Sequence, residues 1–599
     1  MFLFKERSQM KVLLTTLNSK FTHSSLALRY IQSMVDHPKI DMTRLEYTIN
    51  NQLDYIVREI YSGGFDVVVF SVYIWNVEDT LMIAKNLKKV APHLKIFFGG
   101  PEVTFESDKF LEKHAYIDLI IRGEGEVSFR ELMHKMADSG YPKSLENNSF
   151  EGLKGLTYRV NTANNVVSLP DQPLIPQLDI IPFPYESFEG LEHRILYYES
   201  SRGCPFNCQY CLSSTIKGVR FFSLERVKSD MKRFMDLDVM QVKFIDRTFN
   251  ADPNRSFEIF KYLHENDNGH TNFHFEITAD RLNEETISFL EQVRPGLFQF
   301  EIGVQTTHEP TLNEICRYVD FEKLKEVCLK LRSYRNIHLH LDLIAGLPYE
   351  NYDRFMQSFN HVYSIRPEMV QLGFLKLLKG SGLRIRKEKY GYIFNEQPPY
   401  EIMGTSDLSF DDMIRLKGIE DMVEHFYNNQ KFTHSLEFII KVNGLLPSKL
   451  YEMLSEYWHK MGWHHKAHNQ DAMYTILLDF YKQSGFKAGE LFEEIVKFDY
   501  VRQSSRRKLY SDKESVEFRQ FTHTFLQDET NIDKFLPTYK GQTAKQIVKK
   551  VRFETFRCDV LSLISSDFDL TSVYEKEVIV LFDYNLENNI FATSKHYVI

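Results

Sequence analysis

The sequence predicts an α/β protein in three parts: a doubly wound parallel sheet, a partial (β/α)6 barrel and a mainly helical carboxyl-terminal region. Short β-rich runs alternate with amphipathic segments over residues 11–150, and they do so again from about residue 195. From about residue 400 this alternation stops and helical periodicity dominates. Because βα repeats favour parallel strands joined by right-handed crossovers, both alternating regions are expected to form parallel sheets.

The amino-terminal region contains five predicted strands with helical segments between them. The strands are Lys11–Leu17, Arg44–Ile49, Asp66–Ser71, Lys95–Phe98 and Ile117–Ile121, and the helices include Leu26–Met34, Leu53–Tyr61 and Val77–Val90. Two strands end in small residues, Ser71 and Gly99-Gly100-Pro101, and such strand ends line the ligand crevice of a parallel sheet. The turn Gly123–Glu126 lacks the last glycine of a dinucleotide fingerprint, so a dinucleotide site is not expected.

The middle region contains six predicted βα units, too few for a closed eight-stranded barrel. Its strands are Ile195–Ser200, Gln241–Asp246, Phe273–Thr278, Leu297–Gly303, Ile337–Ile344 and Met369–Leu375. Its helices include Ser223–Leu237, Asn283–Val293, Phe321–Leu331 and Asn351–Ile365. A predicted hairpin over residues 155–169 and a proline-rich stretch precede it.

The carboxyl-terminal region has helical periodicity, for example over Asp411–Tyr427 and Gln470–Gln483. It ends in a predicted hairpin of Val578–Tyr584 and Ile590–Val598. These patterns place the domain bounds at 1–150, at 151–190 for the hairpin and linker, at 191–400 for the barrel and at 401–599.

Composition and charge argue against several classes of protein. The 599 residues carry 73 basic and 82 acidic side chains, a net charge of −9, so a dominant nucleic-acid surface is not expected. The six cysteines show no disulfide framework, which indicates a reducing cytoplasm. The start lacks the apolar core of a signal peptide, and no apolar run is long enough to predict a membrane span.

Three of the cysteines, Cys204, Cys208 and Cys211, fall within eight residues. Their C-x3-C-x2-C spacing suits three corners of a [4Fe–4S] cube, which leaves the fourth iron open for a substrate or cofactor. The alternative is a zinc site, but zinc normally takes a fourth ligand nearby, and no such cysteine or histidine follows within a short loop. The cysteines at 316, 328 and 558 are scattered, so no second cluster is predicted.

The cysteine spacing, with Tyr210 directly before the last cysteine, resembles the signature of the radical SAM superfamily. The resemblance implies that the open iron chelates the amino and carboxylate groups of S-adenosylmethionine. It implies that the reduced cluster cleaves this cofactor to a 5′-deoxyadenosyl radical. It also implies an open (β/α)6 barrel, with Tyr210 as a binding residue near the cluster and the adenine.

Polar residues at the carboxyl ends of the other barrel strands are candidates for the S-adenosylmethionine site. The cofactor presents an ammonium, a carboxylate, ribose hydroxyls and an adenine edge, which need acidic acceptors, an arginine or amide donor, and a glycine. The candidates are Asp246, Glu276, Arg281, Glu301, Gln305 and Gly346. The alternative is that some of these charges are ion pairs that only hold the barrel together, and Arg281 is the clearest case.

The amino-terminal motifs together resemble the cobalamin-binding domain that precedes the barrel in class B radical SAM enzymes. The matching segments are Leu17–His23, Ser71, Phe98–Glu102, Gly123–Glu126 and the linker Leu178–Pro184. The resemblance implies that the strand-end glycines accommodate the nucleotide tail while the corrin faces the barrel. The cobalamin-contacting residues that it implies are Asn18, Ser71, Gly99, Gly100, Pro101, Glu102, Gly123, Glu124 and Glu126. An empty flavodoxin-like domain is the alternative.

His23 does not fit the D-x-H-x-x-G motif of cobalt-ligating histidines, because Phe21 and Leu26 occupy the two flanking positions. Cobalamin is therefore expected to bind with its own base displaced and with no histidine on cobalt. We interpret His23 as a helix-start residue hydrogen-bonded to the loop, with cobalt ligation as the alternative.

Two features of the carboxyl-terminal region raise the question of further sites. Four histidines, His459, His464, His465 and His468, fall within ten residues. His464 and His468 could share a helical face and bind a metal, but no H-E-x-x-H motif is present, so an exposed polar face is favoured. The basic run Arg506–Lys508 is interpreted as solvated, with contact to a phosphate-bearing substrate as the alternative. The region resembles the uncharacterised, DUF4080-like extension of some cobalamin-dependent radical SAM proteins, from which no function follows.

The resemblance implies a cobalamin-dependent radical SAM enzyme that methylates an unactivated carbon of a small molecule or peptide. It also implies an external electron donor of the flavodoxin or ferredoxin type. The alternatives are a non-methylating rearrangement or cyclisation with the same cofactors, and a non-catalytic cobalamin or redox sensor. A methylthiotransferase is disfavoured, because this chain lacks the three amino-terminal cysteines of that group. No motif indicates the substrate.

Overall fold

The computed structural model describes residues 9–139, 150, 152–160, 165–185, 187–503, 515–572, 576–585 and 594–599. The run Arg506–Lys508 and the first residues of the predicted strand Ile590–Val598 lie outside the described residues. The chain divides into two compact units. The first comprises Met1–Glu301, Pro310–Asp320 and Phe374–Ser406, and the second comprises Ile302–Glu309, Phe321–Gly373 and Asp407–Ile599.

The first unit begins with a seven-stranded sheet. Its strands are β1 Met10–Asn18, β2 Ile40–Thr48, β3 Val67–Ser71, β4 Lys95–Gly99, β5 Leu119–Ile121, β6 Leu156–Val160 and β7 Asn165–Ser168. Its helices are α1 Leu26–Ser33, α2 Leu53–Gly63, α3 Val77–Val90, α4 Pro101–Thr104, α5 Ser107–Lys113 and α6 Gly125–Asp138. The strand order is β2-β1-β3-β4-β5-β6-β7, in which β1 to β5 pair parallel and the predicted hairpin β6–β7 adds an antiparallel edge.

Alternating side chains along β3 build the two core layers of this sheet. Val68 and Phe70 join a cluster that includes Ile83 of α3, whereas Val67 and Val69 join another that includes Phe129 of α6. Successive residues of a strand point to opposite faces, so helices cover both sides of the sheet. This arrangement confirms the predicted doubly wound fold, whose ligand crevice lies beyond the carboxyl ends of the strands.

The barrel region contains eight strands and six helices. The strands are β8 Leu196–Tyr198, β9 Ser201–Cys204, β10 Gly218–Phe221, β11 Gln241–Phe244, β12 Asn272–Ile277, β13 Phe298–Gln305, β14 His338–Ala345 and β15 Met369–Phe374. The helices are α7 Leu224–Asp236, α8 Pro253–Glu265, α9 Glu284–Leu290, α10 Glu309–Glu314, α11 Phe321–Tyr334 and α12 Tyr352–Ile365. Six strands form a sheet in the order β15-β14-β13-β12-β11-β8, whose two ends are β8 and β15, which confirms the open barrel. Helix α8 and the hairpin β9–β10 were not predicted.

Side-chain caps determine where the barrel helices begin. The Asp252 carboxylate accepts backbone hydrogen bonds in the first turn of α8, and Pro253 occupies the first helical position. Ser223 caps α7 and Asn351 caps α12 in the same way. These caps satisfy N–H groups that the helix itself leaves without acceptors, so each chain turn from strand to helix is sharply defined.

The second unit ends in the carboxyl-terminal region, which is mainly helical as predicted. A short helix α13, Gly382–Ile385, and the strands β16 Ile393–Phe394 and β17 Ile402–Gly404 belong to the first unit. The helices that follow are α14 Phe410–Met422, α15 Thr433–Asn443, α16 Pro447–Lys460, α17 Gln470–Gln483, α18 Gly489–Val501, α19 Val516–Gln527, α20 Glu529–Phe535, α21 Ala544–Ile547 and α22 Val560–Ser565. A three-stranded antiparallel sheet consists of β18 Val551–Phe556, β19 Val578–Asp583 and β20 Lys595–Val598, of which β18 was not predicted. Within the described residues, we find no helix whose length and hydropathy would let it cross a membrane.

Glu350 is a buried carboxyl group just beyond β14 in the second unit. Its Oε1 accepts hydrogen bonds from Thr306 Oγ1 at 2.6 Å and from Ser358 Oγ at 3.2 Å. Its Oε2 has no hydrogen-bond partner among the described residues. Burial raises the pKa of Glu350 to about 7, because the ionised form loses its hydration.

Replacing Glu350 with glutamine is expected to change how stability depends on pH. Because the folded pKa of Glu350 lies above its ordinary value, its stabilising effect is present at low pH and is lost as the pH rises through about 7. The wild type should therefore lose free energy of unfolding relative to Glu350→Gln between about pH 5 and about pH 8, by up to about 3 kcal/mol. Urea unfolding at both pH values measures this difference, and parallel pH profiles would contradict the prediction.

Candidate functional site

The hairpin β9–β10 carries the three clustered cysteines. Cys204 ends β9 and pairs with Gly218, while Cys208 and Cys211 lie in the loop between the strands. A Cβ on Gly203 would lie 2.1 Å from the Gly218 carbonyl oxygen, so only glycine permits this close pairing. The hairpin follows β8, so the thiols lie beyond the carboxyl end of the first barrel strand, as the sequence predicts.

The surroundings of the three thiols fit an iron–sulfur cluster. All three cysteines are free. The backbone N–H of Ser213 donates to Cys211 Sγ at 3.4 Å, and Thr248 Oγ1 lies 3.6 Å from Cys204 Sγ. Hydrogen bonds to sulfur are a usual means of tuning such a cluster. Three thiolates from one loop would hold a [4Fe–4S] cluster and leave one iron open.

Arg317 is a functional candidate that the sequence reasoning missed. Its Nη1 lies 3.7 Å from Cys208 Sγ and 3.5 Å from the Tyr210 hydroxyl. Burial raises the pKa of Cys208, while the Arg317 guanidinium acts in the opposite direction. The guanidinium groups of Arg317 and Arg281 both lie over the Phe206 ring, at 5.9 and 5.5 Å. The only signal in the sequence was an arginine after the fourth barrel strand, and arginines are common in loops.

Replacing Arg317 with methionine is expected to make the cluster harder to reduce. The guanidinium stabilises added negative charge at the cluster, so its loss lowers the reduction potential. Cleavage of S-adenosylmethionine should slow by about 10–100-fold, as is usual for groups that support a metal ligand. Redox titration followed by electron paramagnetic resonance measures the potential, and Arg58→Met on the surface is the control. An unchanged potential in Arg317→Met would refute this role.

Asp246 ties the end of β11 to the start of the cluster hairpin. Its Oδ2 accepts from the Ser200 backbone N–H at 2.8 Å, and its Oδ1 accepts from the Ser200 and Ser201 hydroxyls at 2.7 and 2.5 Å. Burial raises the pKa of Asp246, and these donors oppose the rise. The contacts place Asp246 beneath the cysteine loop, and its contact with S-adenosylmethionine stays a prediction.

The other candidates for the S-adenosylmethionine site are distributed over three strands. In the first unit, Glu301 accepts from Lys243 at 2.8 Å and from His274 at 3.0 Å, and Glu276 follows two residues after His274 on the same face of β12. In the second unit, Gln305 ends β13, and its Oε1 is buried without a partner among the described residues. Gly346 follows β14 with a positive φ of 89°. A buried amide oxygen that lacks a donor fits an ammonium or hydroxyl group of a bound cofactor.

Glycines and aromatic rings form the crevice at the carboxyl ends of β1, β3, β4 and β5. A Cβ on Gly100 would lie 2.5 Å from the Val72 carbonyl oxygen, whereas a Cβ on Gly123 would meet nothing within 4 Å. Beyond β3, the rings of Tyr73 and Trp75 stack 4.4 Å apart, and Trp75 is 46% exposed. This aromatic pair was not predicted. An exposed aromatic ring beyond β3 and the open space at Gly123 suit the flat face of a large ring such as a corrin.

The polar candidates on the first two strands of the crevice hold its loops in place. Asn18 donates to the Glu46 carboxylate at 2.9 Å and to the His23 carbonyl oxygen at 3.2 Å. The Ser71 carbonyl oxygen accepts from Thr16 Oγ1 at 2.8 Å. Hydrogen bonds of this kind fix the loops that follow β1 and β3. Next to these loops, Gly99 ends β4 and Pro101 begins α4.

Three acidic residues that the resemblance assigns to cobalamin form ion pairs with cations of the protein. Glu102 accepts from Lys379 at 2.7 Å, Glu124 accepts from Arg220 at 3.1 Å, and Glu126 accepts from Arg202 at 2.5 Å. Arg202 and Arg220 lie on the paired strands β9 and β10. The glycine-acid turn of the crevice is thus joined to the cluster hairpin by ion pairs, and contact of its carboxylates with cobalamin stays a prediction.

His23 is hydrogen-bonded within its own loop, where its backbone N–H donates to the Lys20 carbonyl oxygen at 3.2 Å. Its Nδ1 lies 2.5 Å from the Tyr197 hydroxyl of β8, and burial lowers the pKa of His23. The expected bond to the loop is therefore confirmed for the backbone of His23, and its side chain also contacts the first barrel strand. The expectation that His23 does not ligate cobalt stays a prediction.

The carboxyl-terminal histidines do not assemble a metal site. His468 Nε2 lies 2.9 Å from the Trp463 carbonyl oxygen, and its ring packs edge-on against Trp458 and Trp463. His459, His464 and His465 are exposed. The exposure of these three side chains agrees with the favoured polar face, whereas His468 is partly buried.

Three family models match the chain in the predicted order. They are the B12 binding domain over residues 12–133, the Radical SAM superfamily over residues 198–362 and the Protein of unknown function (DUF4080) over residues 388–582. These matches confirm the resemblances given above for the amino-terminal, barrel and carboxyl-terminal regions.

Two curated relatives have names that describe methyl transfer. The cobalamin-dependent radical SAM methyltransferase TokK of Streptomyces tokunonensis is 26% identical, over 66% of this chain and 61% of that protein. The 2-(S-pantetheinyl)-carbapenam-3-carboxylate methyltransferase of Streptantibioticus cattleyicolor is 24% identical, over 67% of this chain and 63% of that protein. The chain therefore spans just over three-fifths of the length of these relatives.

Two solved structures share the fold. OxsB, with aqua-cobalamin and S-adenosylmethionine bound, has a TM-score of 0.56 at 15% identity and covers 86% of this chain and 83% of its own. TsrM of Kitasatospora setae, with cobalamin and a [4Fe–4S] cluster bound, has a TM-score of 0.54 at 15% identity and covers 67% and 82%. The matched B12 binding and Radical SAM domains confirm cobalamin, S-adenosylmethionine and a [4Fe–4S] cluster as the cofactors. The chain thus carries, in this order, a B12 binding domain, a Radical SAM domain and a DUF4080 region.

Proposed function

We propose that this protein is a methyltransferase that uses radical chemistry to methylate an unactivated carbon of a small molecule or peptide. One observation carries the proposal: the three-cysteine hairpin is bound directly to the glycine-acid turn of the cobalamin crevice by Arg202 and Arg220. A radical generator and a methyl donor must act on one substrate, so their binding segments must be held together. The names of the two curated relatives support methyl transfer.

The side chains of the site would place the cofactors and keep water away from them. When bound, the cluster and S-adenosylmethionine supply a 5′-deoxyadenosyl radical, and cobalamin supplies the methyl group. Cys204, Cys208 and Cys211 would hold the cluster, and Arg317 would stabilise its reduced state. The stacked rings of Tyr73 and Trp75 would exclude water from one edge of the crevice. Reduction would come from an external flavodoxin or ferredoxin, in a reducing cytoplasm that keeps the thiols free.

Anaerobic reconstitution tests the proposal. Protein loaded with cluster, cobalamin and S-adenosylmethionine is expected to release 5′-deoxyadenosine when a reductant is added. In an extract of a deletion strain, the accumulated acceptor should gain the mass of one methylene unit. No 5′-deoxyadenosine from fully loaded protein in that extract would contradict the radical chemistry. A product of unchanged mass would instead favour the rearrangement or cyclisation alternative.

A further inference from the structure

A segment after the barrel links the two cofactor-binding parts of the first unit. We call residues Phe374–Ser406 the strap. It begins at the last residue of β15, and its turn Lys379–Leu383 includes the first two residues of α13. The turn contacts the cobalamin domain through its first residues and the cysteine loop through its last ones.

The contact with the cobalamin domain centres on Glu102. This carboxylate is buried and accepts from Lys379 Nζ at 2.7 Å and from the Tyr400 hydroxyl, both on the strap. Gly380, with a positive φ of 85°, lies so close to Phe105 that a Cβ would come within 2.5 Å of the ring. Charge pairing and close packing therefore fix the strap against the segment that follows β4.

The contact with the cysteine loop centres on Gln209, which stands between Cys208 and Tyr210. Its carbonyl oxygen accepts from the Leu383 backbone N–H at 2.8 Å, and its Oε1 accepts from Arg386 at 3.1 Å. A Cβ on Gly382 would lie 2.1 Å from that same Oε1. The strap thus touches the cluster loop, and a methyl group added at Gly382 would displace the Gln209 amide from its hydrogen bond with Arg386.

We propose that the turn Lys379–Leu383 is a spacer that sets the distance between the bound cobalamin and the cluster. Two glycines, only two residues apart, make the close approaches on its two sides. A methyl group at Gly380 would press against Phe105 and one at Gly382 against the Gln209 side chain, so each change acts on one of the two contacts. The inference rests on the proposed function, because this distance matters only when methyl donor and radical act on the same substrate. The turn residues are positioning residues, since they touch the segments that hold the cofactors.

Alanine at either glycine tests the spacer. Gly380→Ala and Gly382→Ala are expected to bind both cofactors but to shift or broaden the distance between cob(II)alamin and the reduced cluster, measured by pulsed electron paramagnetic resonance. Phe105→Ala should restore the distance in Gly380→Ala, and Gln209→Ala should restore it in Gly382→Ala, because each removes the atoms that the new methyl group meets. Gly444→Ala, at a positive φ of 62° with open space around a Cβ, is the matched control.

Activity gives a second readout. With the natural acceptor, the ratio of methylated product to 5′-deoxyadenosine should fall by about 10²-fold in the glycine variants, as for a misplacement of about 1 Å. An unchanged distance in both variants overturns the spacer. Should both fail to fold, Lys379→Met, which leaves the backbone intact, is expected to shift or broaden the same distance. An unchanged distance in that variant would overturn the spacer. If the wild type methylates no substrate, the proposed function fails. The measured distance between cob(II)alamin and the reduced cluster still tests the spacer in that case.

Discussion

Replacing Cys208 with alanine is expected to abolish the iron–sulfur cluster and the cleavage of S-adenosylmethionine. Two thiolates cannot hold three corners of the cube, and the neighbouring Ser213, Thr248 and Arg317 offer no replacement thiolate. Formation of 5′-deoxyadenosine should fall to background, a loss of at least about 10³-fold. Iron and sulfide content, the cluster absorption and chromatography of the nucleoside products measure the effect.

Cys558→Ala is the matched control for this substitution. Cys558 is also a free, buried cysteine, but it precedes α22 in the second unit. It should keep full cluster content and full cleavage. Cobalamin binding should survive in Cys208→Ala, because the crevice at the carboxyl ends of β1, β3, β4 and β5 is built without that thiol. A Cys208→Ala protein with normal iron content and turnover would contradict the assigned cluster ligands. A Cys208→Ala protein that lacks turnover but keeps its signalling unimpaired would favour the non-catalytic sensor.

The features that were predicted correctly are encoded locally. The spacing of Cys204, Cys208 and Cys211 is contained in eight residues, and one loop delivers all three thiols. Strands such as β3 can be recognised in the sequence by a run of β-branched residues, which the structure buries. Parallel pairing with right-handed crossovers follows from the alternation of strands and helices, so a periodic sequence predicts both α/β folds.

The features that were missed depend on residues far apart in the chain. Lys379 pairs with Glu102 across 277 positions, and Arg220 pairs with Glu124 across 96. No periodicity reports such a pair, so the acidic residues of the crevice were assigned to cobalamin by resemblance alone. Helix α8 was overlooked although Asp252 and Pro253 mark its start, which is a signal that the sequence does contain. The hairpin β9–β10 was hidden because its strands are only four residues long.

The ion pairs of the cluster hairpin centre on Arg202, two residues before Cys204. Its Nε donates to Glu199 at 2.7 Å and its Nη2 to Glu126 at 2.5 Å, while Nη1 lies 3.8 Å from Glu124. All four side chains are only 8–12% exposed. Burial raises the pKa of Glu199 to about 7, and Arg202 opposes the rise. One cation therefore compensates the buried carboxylates of Glu199 and Glu126, whereas Glu124 also pairs with Arg220.

Arg202→Met is expected to destabilise the first unit by about 3–5 kcal/mol, the usual cost of removing one partner from a buried ion pair. The loss should be smaller near pH 5 than near pH 8. Because the folded pKa of Glu199 is raised, its carboxyl destabilises the fold as the pH rises through that pKa. Without Arg202, the pKa of Glu199 rises further, so the loss of stability is larger near pH 8 than near pH 5. Urea unfolding of the metal-free protein at both pH values measures the effect.

Two companion variants show whether the lost charge pairing is the cause. Lys228→Met removes a partly exposed ion pair with Glu258 on the outer helices and should leave the unfolding free energy unchanged. Adding Glu126→Gln to Arg202→Met removes one of the stranded charges, so it should recover part of the loss at pH 8 and less at pH 5. Arg202→Met as stable as Lys228→Met would mean that the carboxylates are neutral or hydrated. In that case Arg202 would not hold the cluster hairpin to the cobalamin crevice.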